Sequence, residues 1–357
     1  MTWARKNLFS SWPSALATIL IVLLASKLVP PFFQWAVANA VWSAPGPEAC
    51  RALEGRGACW AFVAEKHRFI LFGTYPFGEQ WRPALASLLL VSLWALSCFR
   101  VMWRWWLSVF WLSGLGLIGL LMWGGVPGLP YVENERWGGL ILTLLLASFG
   151  AALAFPLAIL LALGRRSSLP ALRALCVAYI ELVRGVPLIS VLFMASVLLP
   201  LFLPAGASID KLLRAQLALA AFAAAYFAEV VRGGLQSVPD HQGEAAAALG
   251  MGYWRATWHV VLPQALRASI PPLVNTLIGF FKDTSLVLII GLFDLLSTIK
   301  VSLQDAAWSG FGVEAYLFAA AVYFVFCSAM SAYSRRLETG AGAKQAPGER
   351  DRLFASP

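Results

Sequence analysis

The chain has 357 residues, of which 60% are hydrophobic and 13% charged, more apolar material than a soluble core of this length needs. A purely water-soluble protein is thereby excluded, and most of the chain belongs in lipid. Its 27 basic and 18 acidic residues leave a net charge of +9. That charge is spread over many short connections, which suits a positive-inside bias and anionic lipid headgroups and excludes nucleic acid as a partner.

Apolar runs long enough to cross a bilayer, roughly 20 residues each, begin with Ser14–Gln34. Arg5 and Lys6 before that run, with Ala38-Asn39-Ala40 after it, have the form of a cleaved leader. Its length, Lys27 and Pro30-Pro31 argue instead for a retained first span. A mixed-charge loop at about 37–82 follows, holding Glu48, Arg51, Glu54, Arg56, Glu65 and Lys66. Cys50 and Cys59 lie in this loop, either as two free thiols or as a disulfide, which an oxidising compartment would allow. With His67 as the only imidazole nearby, no metal site is expected there.

The next runs, Pro83–Phe99 and Trp106–Trp123, flank a turn whose Trp103, Trp105 and Trp106 read as an interfacial belt. Trp137–Leu163, Leu175–Leu203, Leu212–Val231, Ile270–Leu292 and Ala315–Tyr333 complete a set of about eight spans. The expected fold is an all-α integral membrane protein. Residues 1–130 would be an N-terminal part with three spans, residues 137–334 a five-span core, and residues 335–357 a tail. Arg100, Arg104, Arg165, Arg166, Arg173, Arg255, Arg267, Arg335 and Arg336 all fall in alternate connections. Both termini are therefore expected in the cytoplasm.

Polar groups become regular inside the core. Glu181-Leu-Val-Arg184-Gly185 and Glu229-Val-Val-Arg232-Gly233 echo one another, each with acid and base three residues apart on one helical face, placed to neutralise each other. Either they only pin helix ends, or Gly185-Val186-Pro187 and Gly233-Gly234 are hinges of a gate. In Ile270–Leu292, Asn275, Gly279 and Lys282 share a stripe, with Thr276 and Asp283 beside it and Ser285 following. Ionisable groups at that depth either line a path or tie helices together. A carboxylate at Asp283 could meet the ammonium of a zwitterionic solute.

The long connection at 237–263 opens on Ser237-Val-Pro239-Asp240, which has the form of a capping box starting a helix through Glu244 to Leu249. Gly250 and Gly252 should end it, Gly250 by taking positive φ. Alanines at 245–248 leave a knob-free surface suited to another subunit's groove. A second stretch, Tyr253–Leu262, would carry Trp254, Trp258 and Val261 on one face, with Pro263 redirecting the chain. A helix lying on the membrane would show the same pattern.

Glu244-Ala245-Ala246, Gly250, Val260, Leu262 and Pro263 stand at the spacing of the EAA loop of ABC-importer permeases, with Val260 where Ile is usual and Asp240-His241-Gln242-Gly243 departing from the usual lead-in. With Glu181-x-x-Arg184-Gly-x-Pro187, Glu229-x-x-Arg232-Gly and Lys282-x-x-Ser285, the chain resembles the polar amino acid (histidine permease type) family, most of all the M-type permease subunit of a general L-amino acid transporter. The resemblance implies a non-enzymatic subunit of the bacterial inner membrane. Its partners would be a sister permease (as a heterodimer), a cytoplasmic ATPase dimer gripping the EAA loop, a periplasmic binding protein, membrane lipid and L-amino acids. No cofactor would be bound by this chain; ATP and Mg²⁺ would be used by the ATPase. The chain has no Gly-rich phosphate-binding loop of its own. An ion-coupled secondary transporter relaying charge through Lys282 and Asp283 is the alternative, separable by whether uptake survives without an ATPase. A membrane enzyme or receptor would need clustered polar residues at one face, and the chain's three His are scattered.

Overall fold

The computed structural model describes residues 2–52, 57–102, 104–204, 206 and 208–342. Trp103, Glu54, Arg56 and the tail from residue 343 lie outside these. Among the described residues, six helical segments are long and apolar enough to cross a membrane: Trp12–Ala38, Trp105–Trp123, Gly139–Arg165, Lys211–Ser237, Tyr253–Ile290 and Gly312–Leu337. A broken pair, Pro170–Gly185 and Leu188–Leu201, supplies a seventh. The remaining expected span is the helix Trp81–Ser97, whose 17 residues reach about 26 Å, at the short end for a bilayer.

The predicted continuous span Leu175–Leu203 is corrected by that pair, which bends by 105°. Pro187 is the cause: it forces Val186 out of the helical region, to φ −102° and ψ 134°, and the chain restarts as a helix at Leu188. Gly233-Gly234, the other expected hinge, lies inside the unbroken helix Lys211–Ser237. Gly234 instead permits close helix contact, because a Cβ there would stand 1.9 Å from Ser269 Oγ and 2.5 Å from the Ala265 carbonyl oxygen.

By compactness the chain divides into two units. One unit comprises Met1–His67 with Val301–Phe318, the other Arg68–Lys300 with Ala319–Pro357. In the second unit, Ala86, Leu90 and Leu93 of Trp81–Ser97 and Ile118, Leu121 and Met122 of Trp105–Trp123 share a buried cluster with Ile141, Leu144 and Phe281. These two N-terminal spans therefore pack against the core within one compact unit. A second cluster joins Leu142, Leu146, Ala154 and Ala158 to the alanine-rich face of Lys211–Ser237, including Ala215, Ala218, Ala223, Ala224 and Ala228. Small side chains let these two helices approach closely, as packing inside a bilayer requires.

A junction in the same unit ties three separated segments. Gly73 and Gly139 have φ of +62° and +69°, and a Cβ on Gly139 would lie 2.3 Å from the backbone of Leu71. The short strand Phe293–Asp294 bridges in parallel to Gly138 and Gly139. Asp294, fully buried, accepts hydrogen bonds from the amides of Leu296 (3.2 Å) and Ser297 (3.1 Å) and from the Ser297 hydroxyl, capping the helix Leu295–Ser302. The Leu295 amide donates to Thr143 Oγ1 (3.0 Å) and Thr298 Oγ1 to the Ile70 carbonyl (3.0 Å).

The first unit has its own small core outside the apolar first helix. The stretch expected as a polar loop forms the helices Pro47–Arg51 and Ala61–Phe72, and a disulfide joins Cys50 to Cys59, whose Cα atoms are 5.7 Å apart. Trp308 is buried against Phe62 (5.8 Å between centroids) and Phe311 (5.7 Å), and its indole donates to Glu65 Oε1 at 2.9 Å. Lys66 Nζ meets Asp305 Oδ2 at 2.7 Å, and Arg51 donates to the carbonyls of Ala306 and Ala307. Closing a loop this short by a disulfide is worth about 2–3 kcal/mol through the unfolded chain. Cys50→Ser is therefore expected to speed proteolysis within residues 35–67 about 30-fold or more, measured by limited digestion of vesicles.

Candidate functional site

The exposed connection at 237–263 is shaped by its caps. Its helix is His241–Ala248, not the longer one expected from Ser237. Ser237 is the last residue of the preceding helix, and its hydroxyl turns back to the Gly234 carbonyl (2.7 Å), so it is not available as a cap. Nor does Asp240, at the N-cap, use its side chain. The C-terminal end follows the sequence closely. Gly250 sits at φ +79°, its amide donates to Ala247 O (2.9 Å) and that of Met251 to Ala246 O (3.1 Å), the two bonds of a left-handed helix stop.

Of the motif residues, Glu244 and Ala245 are exposed, whereas Ala246 is buried and seats the helix. Leu249 is 83% exposed, and Tyr253, Trp254 and Trp258 are exposed beyond it. This is a firm short helix with a bare apolar rim. Leu262 anchors the far end, buried with Ile159, Ala162, Leu163, Val231, Leu235 and Ala265. Pro263 does not redirect the chain. Tyr253–Ala256, a π-helical turn at Thr257–Val261 and Leu262–Asp283 run on as one apolar segment, with Pro263 in the first turn of the last helix, where its missing amide hydrogen is tolerated.

Beside this connection the ends of three helices bring charges together. Glu229 Oε2 accepts from Arg165 at 3.3 Å and lies 3.9 Å from Arg184, while its Oε1 is bound by Arg232 through Nε at 3.0 Å and through Nη2. Glu181 does not pair with Arg184 as the spacing suggested; it meets Arg165 at 3.0 Å. Arg184 points instead to Glu229 and over the ring of Tyr226, 5.7 Å from its centroid. Arg165, the last residue of Gly139–Arg165, is the member that motif spacing missed, since nothing in its own segment pairs with it. Three guanidiniums around two carboxylates leave one positive charge in excess.

The polar stripe of the long helix faces outward. Asn275 and Lys282 are exposed and Asp283 and Ser285 half-buried, while Phe280 and Phe281 on the opposite side are buried. Immediately after Asp283 the helix tightens to a 3₁₀ segment, Thr284–Ile290. The Ser285 hydroxyl donates to the Lys282 carbonyl at 2.8 Å, which leaves its oxygen free to accept. The 237–263 connection and the charged helix ends meet through Leu262, Val231 and Leu235; the Asn275 to Ser285 stripe lies farther along the same long helix.

The chain is thus a multi-span helical bundle with a short, exposed helix in a connection between two of its spans. The chain belongs to the family of binding-protein-dependent transport system inner membrane components, whose model matches residues 154–341. It is 49% identical over 344 residues to the inner membrane amino-acid ABC transporter permease protein YhdY of Escherichia coli, covering 95% of this chain and 92% of that one. It is 38% identical to the glutamate/glutamine/aspartate/asparagine transport system permease protein BztC of Rhodobacter capsulatus, covering 94% and 92%. A crystal structure of an amino acid ABC transporter with histidines matches with 33% identity and a TM-score of 0.50, over 56% of this chain and 91% of that one. The family's sequence motifs are thus matched by its fold, and nothing favours the secondary-transporter alternative.

Proposed function

We propose that this chain is one of two unlike permease subunits of an ATP-driven importer of L-amino acids, energised by a separate cytoplasmic ATPase pair and supplied by a periplasmic binding protein. The observation that carries the coupling is the stop at Gly250, which leaves a rigid helix with Leu249 and the aromatic rim bare for a groove. The arginines at alternate connections put this helix and both termini in the cytoplasm, where ATP and Mg²⁺ are bound by the partner. Glu244, Ala245, Ala246, Gly250, Leu262 and Pro263 form the lever. Closure of the ATPase pair would move it, and the charged ends around Glu229 and the bend at Gly185-Val186-Pro187 would pass the movement to the spans.

The cargo path is assigned to the face bearing Asn275, Lys282, Asp283 and Ser285. An exposed ammonium inside a span is costly against lipid, which favours a sister permease or a watery path on that side. The names of the similar permeases, which concern amino acids, support the cargo class. Proteoliposomes holding both permeases, the ATPase and the binding protein should take up amino acids only with ATP and binding protein together. Uptake that persists on an ion gradient after the ATPase is withdrawn would overturn the reading. Asp283→Ala is expected to change the ranking of acidic, basic and neutral competitors at least several-fold with assembly intact. An unchanged competition profile removes Asp283 from the path.

A further inference from the structure

The second unit contains a partly open cavity of about 450 Å³ between the Trp81–Ser97 and Trp105–Trp123 helices and the core. Its floor is the small-residue face of Gly139–Arg165, with Ala147, Ser148 and Ala151, and its walls include Trp94, Trp111 and Tyr333. Three of the polar side chains along it are turned inward on the protein. Trp111 Nε1 donates to Ser97 Oγ (2.9 Å), Ser97 Oγ to the Leu93 carbonyl (2.8 Å) and Ser148 Oγ to the Leu144 carbonyl (2.7 Å). Such a lining offers water few partners, so the cavity calls for hydrocarbon.

One end of the cavity is marked by charge. Cys98, part of the lining, directly follows Trp81–Ser97, and exposed Arg104 directly precedes Trp105–Trp123. Arg335 and Arg336, both exposed, follow Tyr333 within the same helix. The lining helices thus share a basic collar at one membrane boundary, the level at which a phospholipid presents its phosphate.

We propose that this cavity holds an acyl chain of an anionic phospholipid from the leaflet on the arginine side, with the phosphate against Arg336, Arg335 and Arg104. The bound chain fills space that the protein leaves open and joins the two N-terminal spans to the core. The inference does not depend on which leaflet that is, nor on the cargo.

The test uses the full-length chain in nanodiscs of mixed phosphatidylglycerol and phosphatidylcholine, with a trace of phosphatidylglycerol carrying a photoreactive acyl chain. Crosslinks are expected on residues 94–111, 147–152 and 330–333, and native mass spectrometry should show phosphatidylglycerol retained over phosphatidylcholine. Ala151→Trp, which fills the floor, should remove the 147–152 crosslinks and spare those on other lipid-facing helices. The pair Arg335→Gln and Arg336→Gln, at exposed positions of which Arg335 donates to Ser331 Oγ at 2.8 Å, should lower the preference for phosphatidylglycerol about fivefold per residue. The proposal is overturned if wild type shows no headgroup preference, if its cavity crosslinks only to protein, or if Ala151→Trp leaves the crosslinks unchanged.

Discussion

Gly250→Val is expected to reduce import per ATP tenfold or more while the chain remains inserted in the membrane. The residue sits at φ +79°, and a Cβ built on it meets nothing within 4 Å, so the penalty is one of backbone conformation and not of space. A left-handed conformation costs an ordinary residue about 1–2 kcal/mol, and a β-branched one more. If the chain relaxes, the bonds from Gly250 and Met251 to Ala247 and Ala246 are lost, and Leu249 is re-aimed at the point where a partner would grip. Since about 1.4 kcal/mol is a factor of ten in an equilibrium, even partial relaxation leaves most copies uncoupled. Gly250→Ala should be intermediate, and Gly250→Asn, which tolerates the left-handed region, should stay within about threefold of wild type. Uptake, ATP hydrolysis and copurified ATPase measured together decide the matter. Wild-type uptake per ATP in the Val variant would end the idea of a rigid lever.

Glu229→Gln is the second large expected effect, a loss of about 2–3 kcal/mol in resistance to unfolding. The carboxylate is 24% exposed, so its pairs fall between surface bridges, worth under about 1 kcal/mol, and buried ones whose breaking costs about 3–5 kcal/mol. Gln keeps the shape but leaves Arg165, Arg184 and Arg232 with Glu181 as the one neighbouring counter-charge in the cluster. Glu181→Gln, at a position 55% exposed and bonded to Arg165 alone in this cluster, should cost under about 1 kcal/mol. Adding Arg165→Gln to Glu229→Gln should restore part of the loss, because one unpaired charge is removed with its partner. Thermal unfolding of the purified variants gives the cycle; equal losses for Glu181→Gln and Glu229→Gln would show that Glu229 is no hub.

Whatever depends on a single segment's apolarity was legible in the sequence. The spans, the stop at Gly250 and the outward stripe of Asn275 and Lys282 are set by hydropathy, by one residue's φ and by a helical period. What depends on neighbours was not. Glu181 and Arg184 have the right spacing for each other, yet Arg165 on another helix offers Glu181 a shorter pair. Ser237 carries a cap signature, but the preceding helix extends through it, held by packing of Val231 and Leu235 on Leu262. The Pro187 break was readable as a loosened point, and its 105° bend was not, because angle is set by what the second half packs on. Asp294 belongs to none of the motifs, although Asp294-x-x-Ser297 is a usable capping signal.

The unit that holds Cys50 and Cys59 is assembled from two segments separated by all of residues 68–300. Phe62 has no solvent exposure in the finished molecule because Trp308 covers it, and Lys66 finds Asp305 from the same late segment. During synthesis, all of residues 68–300 must be made and threaded before Trp308 exists. Until then the early disulfide-bearing half waits incomplete, with an aromatic face bare to solvent. The closing of this unit therefore reports that synthesis has passed residue 308, and a chain stalled short of that point carries a visible mark of its own incompleteness.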